Sequence, residues 1–243
     1  VCVDRYCRNT AFPGIGKEGQ ERLFARHVAI VGVGALGGTL AMHMVRAGVG
    51  AVTICDHDTV DLTNIARQLL YDEDDVGTSK VRTAEKKLRR MNSDVEVRAH
   101  DAFLDESTAP HILGGADLVL DGTDRMAPRY VMNAYCVAHG VPYVYAGVLG
   151  GHGMLFNVVP ADGTACFACI FPRSEAMERV PTSAEAGIVN TVPAIMASMQ
   201  ATEALKLLIG APYTRDLVVY DAWKQSFDRV RVRPRPSCGV CGR

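Results

Sequence analysis

The sequence has almost no net charge: 26 Lys and Arg stand against 27 Asp and Glu. A nucleic-acid footprint or a polybasic membrane face would show as a basic excess or cluster, and neither is present. Gly, Pro or a charge breaks every apolar stretch before the ~18 residues that a membrane-spanning helix needs. The opening residues, VCVDRYCRNT, hold no apolar core of the signal-peptide kind. The cytoplasm is therefore the expected location, with neither nucleic acid nor membrane as a partner. Internal repeats and low-complexity tracts are also missing. What is there is a chain of 243 residues, 48% of them hydrophobic. That is enough for one large α/β domain with a real core.

Short apolar runs alternate with amphipathic stretches. VAIV (28–31) is a continuous apolar run, as expected of a strand covered on both faces. The segment up to residue 47 reads as a helix with Gly48 as its C-cap, and AVTIC as the second strand. KVRTAEKKLRRMN (80–92), RYVMNAYCVAHG and NTVPAIMASMQATEALKLLIG read as helices, the last stopped by Gly210. DVEVRAHD, ADLVLDGTD and VPYVYAG read as strands. GKEGQERLFARH reads as a short amphipathic helix with Leu23 and Phe24 inward. From residue 148 the pattern turns hairpin-like, in GMLFNVVP and DLVVYDAWKQSFDRVRVRP. PRSEAMERVPTSAEAG (172–187) has little periodicity and reads as a mobile loop. The expected fold is α/β: a Rossmann-like, doubly wound, mostly parallel sheet with helices on both faces and a C-terminal antiparallel region. One unit is expected over 1–243, made of a helical segment (1–27), a nucleotide-binding core (28–147) and a C-terminal region (148–243).

Gly32, Gly34 and Gly37 form Gly-x-Gly-x-x-Gly between the first strand and its helix. The first glycine allows the tight turn and the second lets backbone approach a phosphate. The helix N-terminus supplies free N–H groups and a positive dipole end. Asp56, at the tip of the second strand, stands where a carboxylate binds ribose hydroxyls. That much suits any nucleotide. The stretch ICDHDTVDLTNIARQ (54–68) narrows the choice. It puts Asp58, Thr63, Asn64, Arg67 and Gln68 just beyond the ribose acid, and Lys80 opens the next helix. A dinucleotide dehydrogenase needs little there. Arg67 and Lys80 suit a triphosphate. Asp124, at another strand tip, suits Mg²⁺, a hard cation that takes carboxylate and phosphate oxygens. Parallel strand tips open on one crevice, and together these residues read as ATP chemistry.

Four of the eight cysteines form two Cys-x-x-Cys pairs, CFAC (166–169) and CGVC (238–241). In a reducing compartment such pairs point to metal before disulfide. Cys166, Cys169, Cys238 and Cys241 suit a closed tetrahedral Zn²⁺ site that clips the C-terminal tail to the earlier pair. A redox pair and unrelated buried cysteines are the other readings. His27, His43, His100, His111 and His139 read as surface or satisfied core groups. Met42, Met44, Met196 and Met199 read as core filler.

RYCR (5–8), EGQERL, GVGALG, DHDTVDLTNIARQ, VGTSK, VLDGTD, SAEAG, SMQATEALK, VYDA and both Cys-x-x-Cys pairs follow one another over nearly the whole chain. In this order they resemble the ThiF/MoeB/HesA adenylyltransferases, relatives of the ubiquitin-activating enzymes. The order is most similar to the molybdopterin-synthase and thiamine sulfur-carrier adenylyltransferases. The resemblance implies a reaction. The C-terminal carboxylate of a small β-grasp carrier protein ending in Gly-Gly attacks the α-phosphate of ATP, giving an acyl-adenylate and pyrophosphate. It implies that Asp56 binds ribose, that Asn64, Arg67 and Lys80 hold the phosphates, and that Asp124 holds Mg²⁺. Arg8 would reach the ATP of a neighbouring subunit, which implies a homodimer. Gly32, Gly34, Ala35, Gly37, Asp58, Thr63, Gln68 and Arg125 complete the nucleotide surround. Residues 148–243 become the carrier-binding and zinc region, and a sulfurtransferase or cysteine desulfurase a further partner.

Three residues depart from the family pattern. Ser183, preceded by Thr182, stands where many relatives carry a cysteine, so adenylation without covalent thiol transfer is expected. Cys136 falls mid-helix and is poorly placed to replace that thiol. Arg125 replaces the asparagine of the family's TDN, and Ala35 replaces a glycine. The competing readings are an adenylating tRNA-modification enzyme of the same superfamily, a non-catalytic ATP- or carrier-binding module, and a plain dehydrogenase.

Overall fold

The computed structural model describes residues 5–179 and 183–242. Two helices come first, α1 (Cys7–Ala11) and α2 (Gly16–Phe24). Leu23 buries the inner stripe of α2, and Gln20 Nε2 donates to the Ala47 carbonyl at 2.8 Å. Phe24, expected to face inward, is 43% exposed and packs edge-on against Tyr6. Successive helical residues point about 100° apart, so Leu23 and Phe24 do not share one narrow stripe.

β1 (His27–Val31), α3 (Ala35–Ala47) and β2 (Ala51–Asp56) form the first βαβ unit, paired in parallel from His27↔Ala51 to Val31↔Cys55. Gly48 ends α3 at φ 78°, a conformation glycine takes without strain. α4 (Leu62–Ile65), α5 (Lys80–Met91), β3 (Glu96–Asp101), α6 (Ala109–Leu113), β4 (Leu118–Asp121), α7 (Met126–His139) and β5 (Tyr143–Leu149) continue the alternation. Then come β6 (His152–Val158), α8 (Phe167–Ile170), α9 (Glu175–Glu178), α10 (Ser183–Ala186), α11 (Thr191–Ile209), β7 (Leu217–Asp221) and β8 (Ser226–Val230). The sheet runs β3-β2-β1-β4-β5-β6-β7-β8. β1 to β5 are parallel, and β6, β7 and β8 add on antiparallel. This is the doubly wound sheet with an antiparallel extension that the pattern predicts.

The stretch 172–187 differs from the expected loop. It holds two single turns, α9 and α10, and the Ser174 hydroxyl accepts the Met177 N–H at 3.3 Å. One turn is too short to show periodicity. Thr182 and the Ser183 side chain lie outside the described residues, and so does the expectation that rested on them.

Strand alternation divides the core. Val28, Ile30, Ile54 and Leu120 face α3, α5 and α11, where Leu40, Met44, Leu88 and Met196 meet them. Ala29, Val31, Val119 and Tyr143 face α6, α7 and α8, against Leu113, Met132 and Phe167. Met42 and Met199 are partly buried against the first of these layers. α11 corrects one expectation: its 19 residues are long and apolar enough, by length and composition, to cross a membrane. Its Val192, Met196, Ala197 and Ala204 are buried in the core. A helix that packs on a sheet and on a second helix is apolar around most of its circumference.

Candidate active site

β1 and β4 are neighbours, yet the chain leaves them in opposite directions, β1 toward β3 and β4 toward β5. At such a switch point the strand tips part and leave a crevice. Three glycines meet there. Gly32 sits at φ 83°. A Cβ on Gly37 would fall 1.8 Å from the Gly32 oxygen, and one on Gly122 would fall 2.4 Å from that same oxygen. The glycine motif is thus half of a backbone contact whose other half, Gly122, lies in VLDGTD. Asp56 pins the turn: Oδ2 accepts the Val33 N–H at 2.8 Å and Oδ1 the Asp58 N–H at 2.9 Å. The Tyr71 hydroxyl lies 2.9 Å from the Val33 carbonyl and 3.1 Å from the Lys80 carbonyl, tying the turn to the start of α5.

The crevice is a cavity of about 380 Å³. Gly32, Gly34, Ala35, Asp56, Asp58, Arg67, Gln68, Lys80, Asp124 and Arg125 all line it. On the β3 side the wall is apolar, with Ala102, Phe103 and Leu104, and Met126 and Pro128 also line it. On the β5–β6 side it carries Tyr145, Leu149 and His152. The Lys80 side chain is 8% exposed, and its Nζ reaches Asp58 Oδ2 at 3.0 Å. Burial pushes the Asp58 carboxyl up, but the Lys80 bond and charge, with His57 and Arg125, outweigh it and hold the group below the usual carboxylate range. Arg67 Nη1 donates to the Thr63 carbonyl at 2.9 Å. Among the described residues, the Asp124 and Arg125 side chains have no hydrogen bond or ion pair. A free carboxylate just beyond a strand tip, sharing a cavity with the glycine turn, fits Mg²⁺, which is usually held by one or two carboxylates plus substrate phosphates.

Beneath the cavity, Asp121 is fully buried. It accepts the Thr123 N–H and hydroxyl at 2.8 Å each, Arg129 Nε at 3.0 Å and the Tyr143 hydroxyl at 2.9 Å. Arg129 Nη2 donates to the Thr123 carbonyl at 2.6 Å, fixing the backbone next to Asp124. Gln200 Nε2 donates to the Asp121 and Val144 carbonyls at 3.0 and 2.8 Å. Tyr71, Arg129 and Gln200 escaped the sequence reading. The signal for Arg129 was only its place one turn into a helix that follows a strand-tip acid.

Thr63, Asn64 and Arg8 do not line the cavity. Asp61 caps α4 by accepting the Thr63 N–H at 2.8 Å, and Asn64 Oδ1 faces the Asp61 N–H at 3.4 Å. Arg8 is exposed on α1. α1 packs on α2, and neighbouring Tyr6 packs near Gly48 and Asn92, at the end of the sheet away from the strand tips.

The four cysteines converge. Cys166 Sγ lies 3.9 Å from Cys169 and 3.6 Å from Cys238, and Cys169 lies 3.5 Å from Cys241. A tetrahedral site with Zn–S bonds of about 2.3 Å has S···S edges of roughly 3.8 Å, whereas a disulfide needs about 2.05 Å. The sulfurs could therefore bind zinc. Burial pushes the Cys166 thiol up to about 12. At Cys238 burial acts the same way, but the Cys241 and Val240 N–H groups pull the thiol down to about 6.

The model of the ThiF family matches residues 6–240. The chain belongs to the ThiF family. A sulfur carrier protein adenylyltransferase of Thermus thermophilus is 39% identical to it, the alignment covering 99% of this ThiF-family chain and 91% of the relative. A SAMP-activating enzyme E1 of Haloferax volcanii is 36% identical, covering 99% and 89%. The adenylyltransferase and sulfurtransferase MOCS3 of Mus musculus is 40% identical, covering 98% of this chain but 52% of the relative. Among solved structures, E. coli MccB with ATP superposes with a TM-score of 0.85 at 23% identity, over 99% of this chain and 75% of that one. This ThiF-family chain is an enzyme of the nucleotidyltransferase type.

Proposed function

We propose that the chain uses Mg-ATP to adenylate the C-terminal Gly-Gly carboxylate of a small β-grasp sulfur-carrier protein, releasing pyrophosphate. One observation carries this reading: the glycine turn, Asp56, Arg67, Lys80 and Asp124 share one cavity in a chain whose full-length relatives are carrier-activating enzymes. Asp56 holds the ribose and the turn at once. Lys80 and Arg67 offset charge that builds on the α-phosphate as the carboxylate attacks. Asp124 holds Mg²⁺, which when bound supplies further charge neutralisation at the phosphates. Lys80 is already oriented by Asp58, so little reorganisation accompanies the reaction; catalysis is positioning and electrostatics, without a protein nucleophile. The apolar β3-side wall suits a base, and the β5–β6 side, with His152, is left for the carrier tail.

The Cys₄ cluster holds structural Zn²⁺. Arg8 lies too far round the molecule to serve its own cavity and serves that of a second copy, as a homodimer requires. The enzyme works in the cytoplasm, where thiols stay available as metal ligands. Sulfur transfer in molybdopterin or thiamine biosynthesis is the setting, with a sulfurtransferase or cysteine desulfurase supplying sulfur downstream. The test is ATP–pyrophosphate exchange with each Gly-Gly carrier of the same genome. Exchange that depends on one carrier supports the reading and selects the pathway. No exchange with any carrier, in protein that binds ATP, overturns it.

A further inference from the structure

Asn133 lies in the middle of α7 and is fully buried. Its Oδ1 accepts the Phe167 N–H at 2.8 Å, and that bond orients the amide. Nδ2 is left with no hydrogen-bond partner of good geometry among the described residues. That anchor sets the amide at the start of α8, where Cys166 is the N-cap and the residue next to Phe167, and the Asn133 side chain acts on the Cys166 thiol against the effect of burial. A buried donor without an acceptor costs about 1–3 kcal/mol. A neutral thiol is a weak acceptor, and a metal-bound thiolate carries the charge that makes a strong one. A native core rarely keeps an orphaned donor without a reason. A metal-bound Cys166 sulfur beside this amide would give the buried Nδ2 its acceptor.

We propose that Asn133 is a positioning residue of the four-cysteine metal site, donating from Nδ2 to the Cys166 thiolate while Oδ1 holds the Phe167 N–H. One amide then fixes both the first sulfur ligand and the first N–H of α8, whose N-cap is Cys166 itself. Groups that hydrogen-bond a ligand orient it and tune the metal. The proposal does not depend on which carrier, or any carrier, is adenylated.

The alternative is that Asn133 only caps α8. Two substitutions in the full-length chain separate these roles. N133D keeps an oxygen for the Phe167 N–H and loses the donor. N133L loses both and adds no charge. Zn²⁺ affinity is measured by competition with a chelating dye. The thiolate-to-metal charge-transfer band is recorded after Co²⁺ substitution, with circular dichroism as the check on folding. Both variants should bind Zn²⁺ about 10- to 100-fold more weakly. Both should move the Co²⁺ band to lower energy, because the thiolate lone pair loses a stabilising donor. If N133L does not fold, the near-isosteric N133D decides. An unmoved band with wild-type affinity in N133D leaves Asn133 as a cap and overturns the proposal. A wild-type chain that binds no Zn²⁺ overturns it too.

Discussion

Replacing Arg129 with methionine removes the cation from a carboxylate that has no exposed surface. Asp121 and Arg129 meet at 3.0 Å, with side chains 0% and 9% exposed. Unit charges about 4 Å apart at an effective dielectric near 20 attract by about 4 kcal/mol, and breaking a buried pair from one side costs about 3–5 kcal/mol. The Thr123 N–H, Thr123 hydroxyl and Tyr143 hydroxyl stay on Asp121 and hold the loss toward the lower end. The Nη2 bond to Thr123 and the guanidinium seated 5.1 Å from the Tyr145 ring centre go as well. R129M should therefore be about 4 kcal/mol less stable at pH 8 in urea unfolding followed by circular dichroism. The pH dependence has a definite sign. Burial raises the Asp121 pKa and Arg129 opposes it, so in R129M the folded-state value rises further above the unfolded one. Stability from such a group is complete below the unfolded pKa and is lost as pH rises through the folded one. The deficit of R129M should shrink as pH falls from 8 toward 4. A deficit under about 0.5 kcal/mol at pH 8, the range of an ordinary surface change, or one independent of pH, refutes the reasoning.

Three further outcomes follow from the same geometry. G37A places a Cβ 1.8 Å from the Gly32 oxygen; it should cost about 3 kcal/mol or more and abolish ATP binding, read by thermal melting and calorimetry. K80M removes the oriented ammonium beside Asp58 and should weaken ATP binding about 10- to 100-fold, as loss of a charged hydrogen bond of about 1.5–3 kcal/mol implies; titration at fixed ionic strength checks it. Stripping metal with a strong chelator at pH 7 should lower Tm by more than about 5 °C, at about 2–4 °C per kcal/mol in a chain this size. Zn²⁺, but not Mg²⁺, should restore it.

The strand tips were legible because Asp56 closes one apolar run and Asp124 follows shortly after another. Asp56 and Asp124 could be placed on one crevice from the parallel-sheet rule alone. The cysteine pairs were legible because metal spacing is local. What stayed hidden depends on contacts across the sheet. Gly122 matters only because β4 lies next to β1. Arg129 only opens the helical stretch RYVMNAYCVAHG in the sequence, and its role depends on β4 bringing Asp121 to it. Asn64 was read for its chemistry, while the structure uses it in the cap of α4, a role its place three residues after Asp61 also allows. Phe24 follows Leu23 in a helix of nine residues, where one step along the chain turns a side chain by about 100°, from the buried stripe to its edge. Asn133 left no sequence signal at all, because its partner sulfur is brought to it only by the fold.

The most direct test of the proposed reaction is intact-mass spectrometry of a Gly-Gly carrier after incubation with the chain and Mg-ATP. The expected result is a carrier heavier by one adenylyl group (AMP less one water) at its C-terminus, lost in D124N, with no thiol-sensitive conjugate between carrier and chain. An unmodified carrier, in the presence of chain that binds both ATP and carrier, contradicts it.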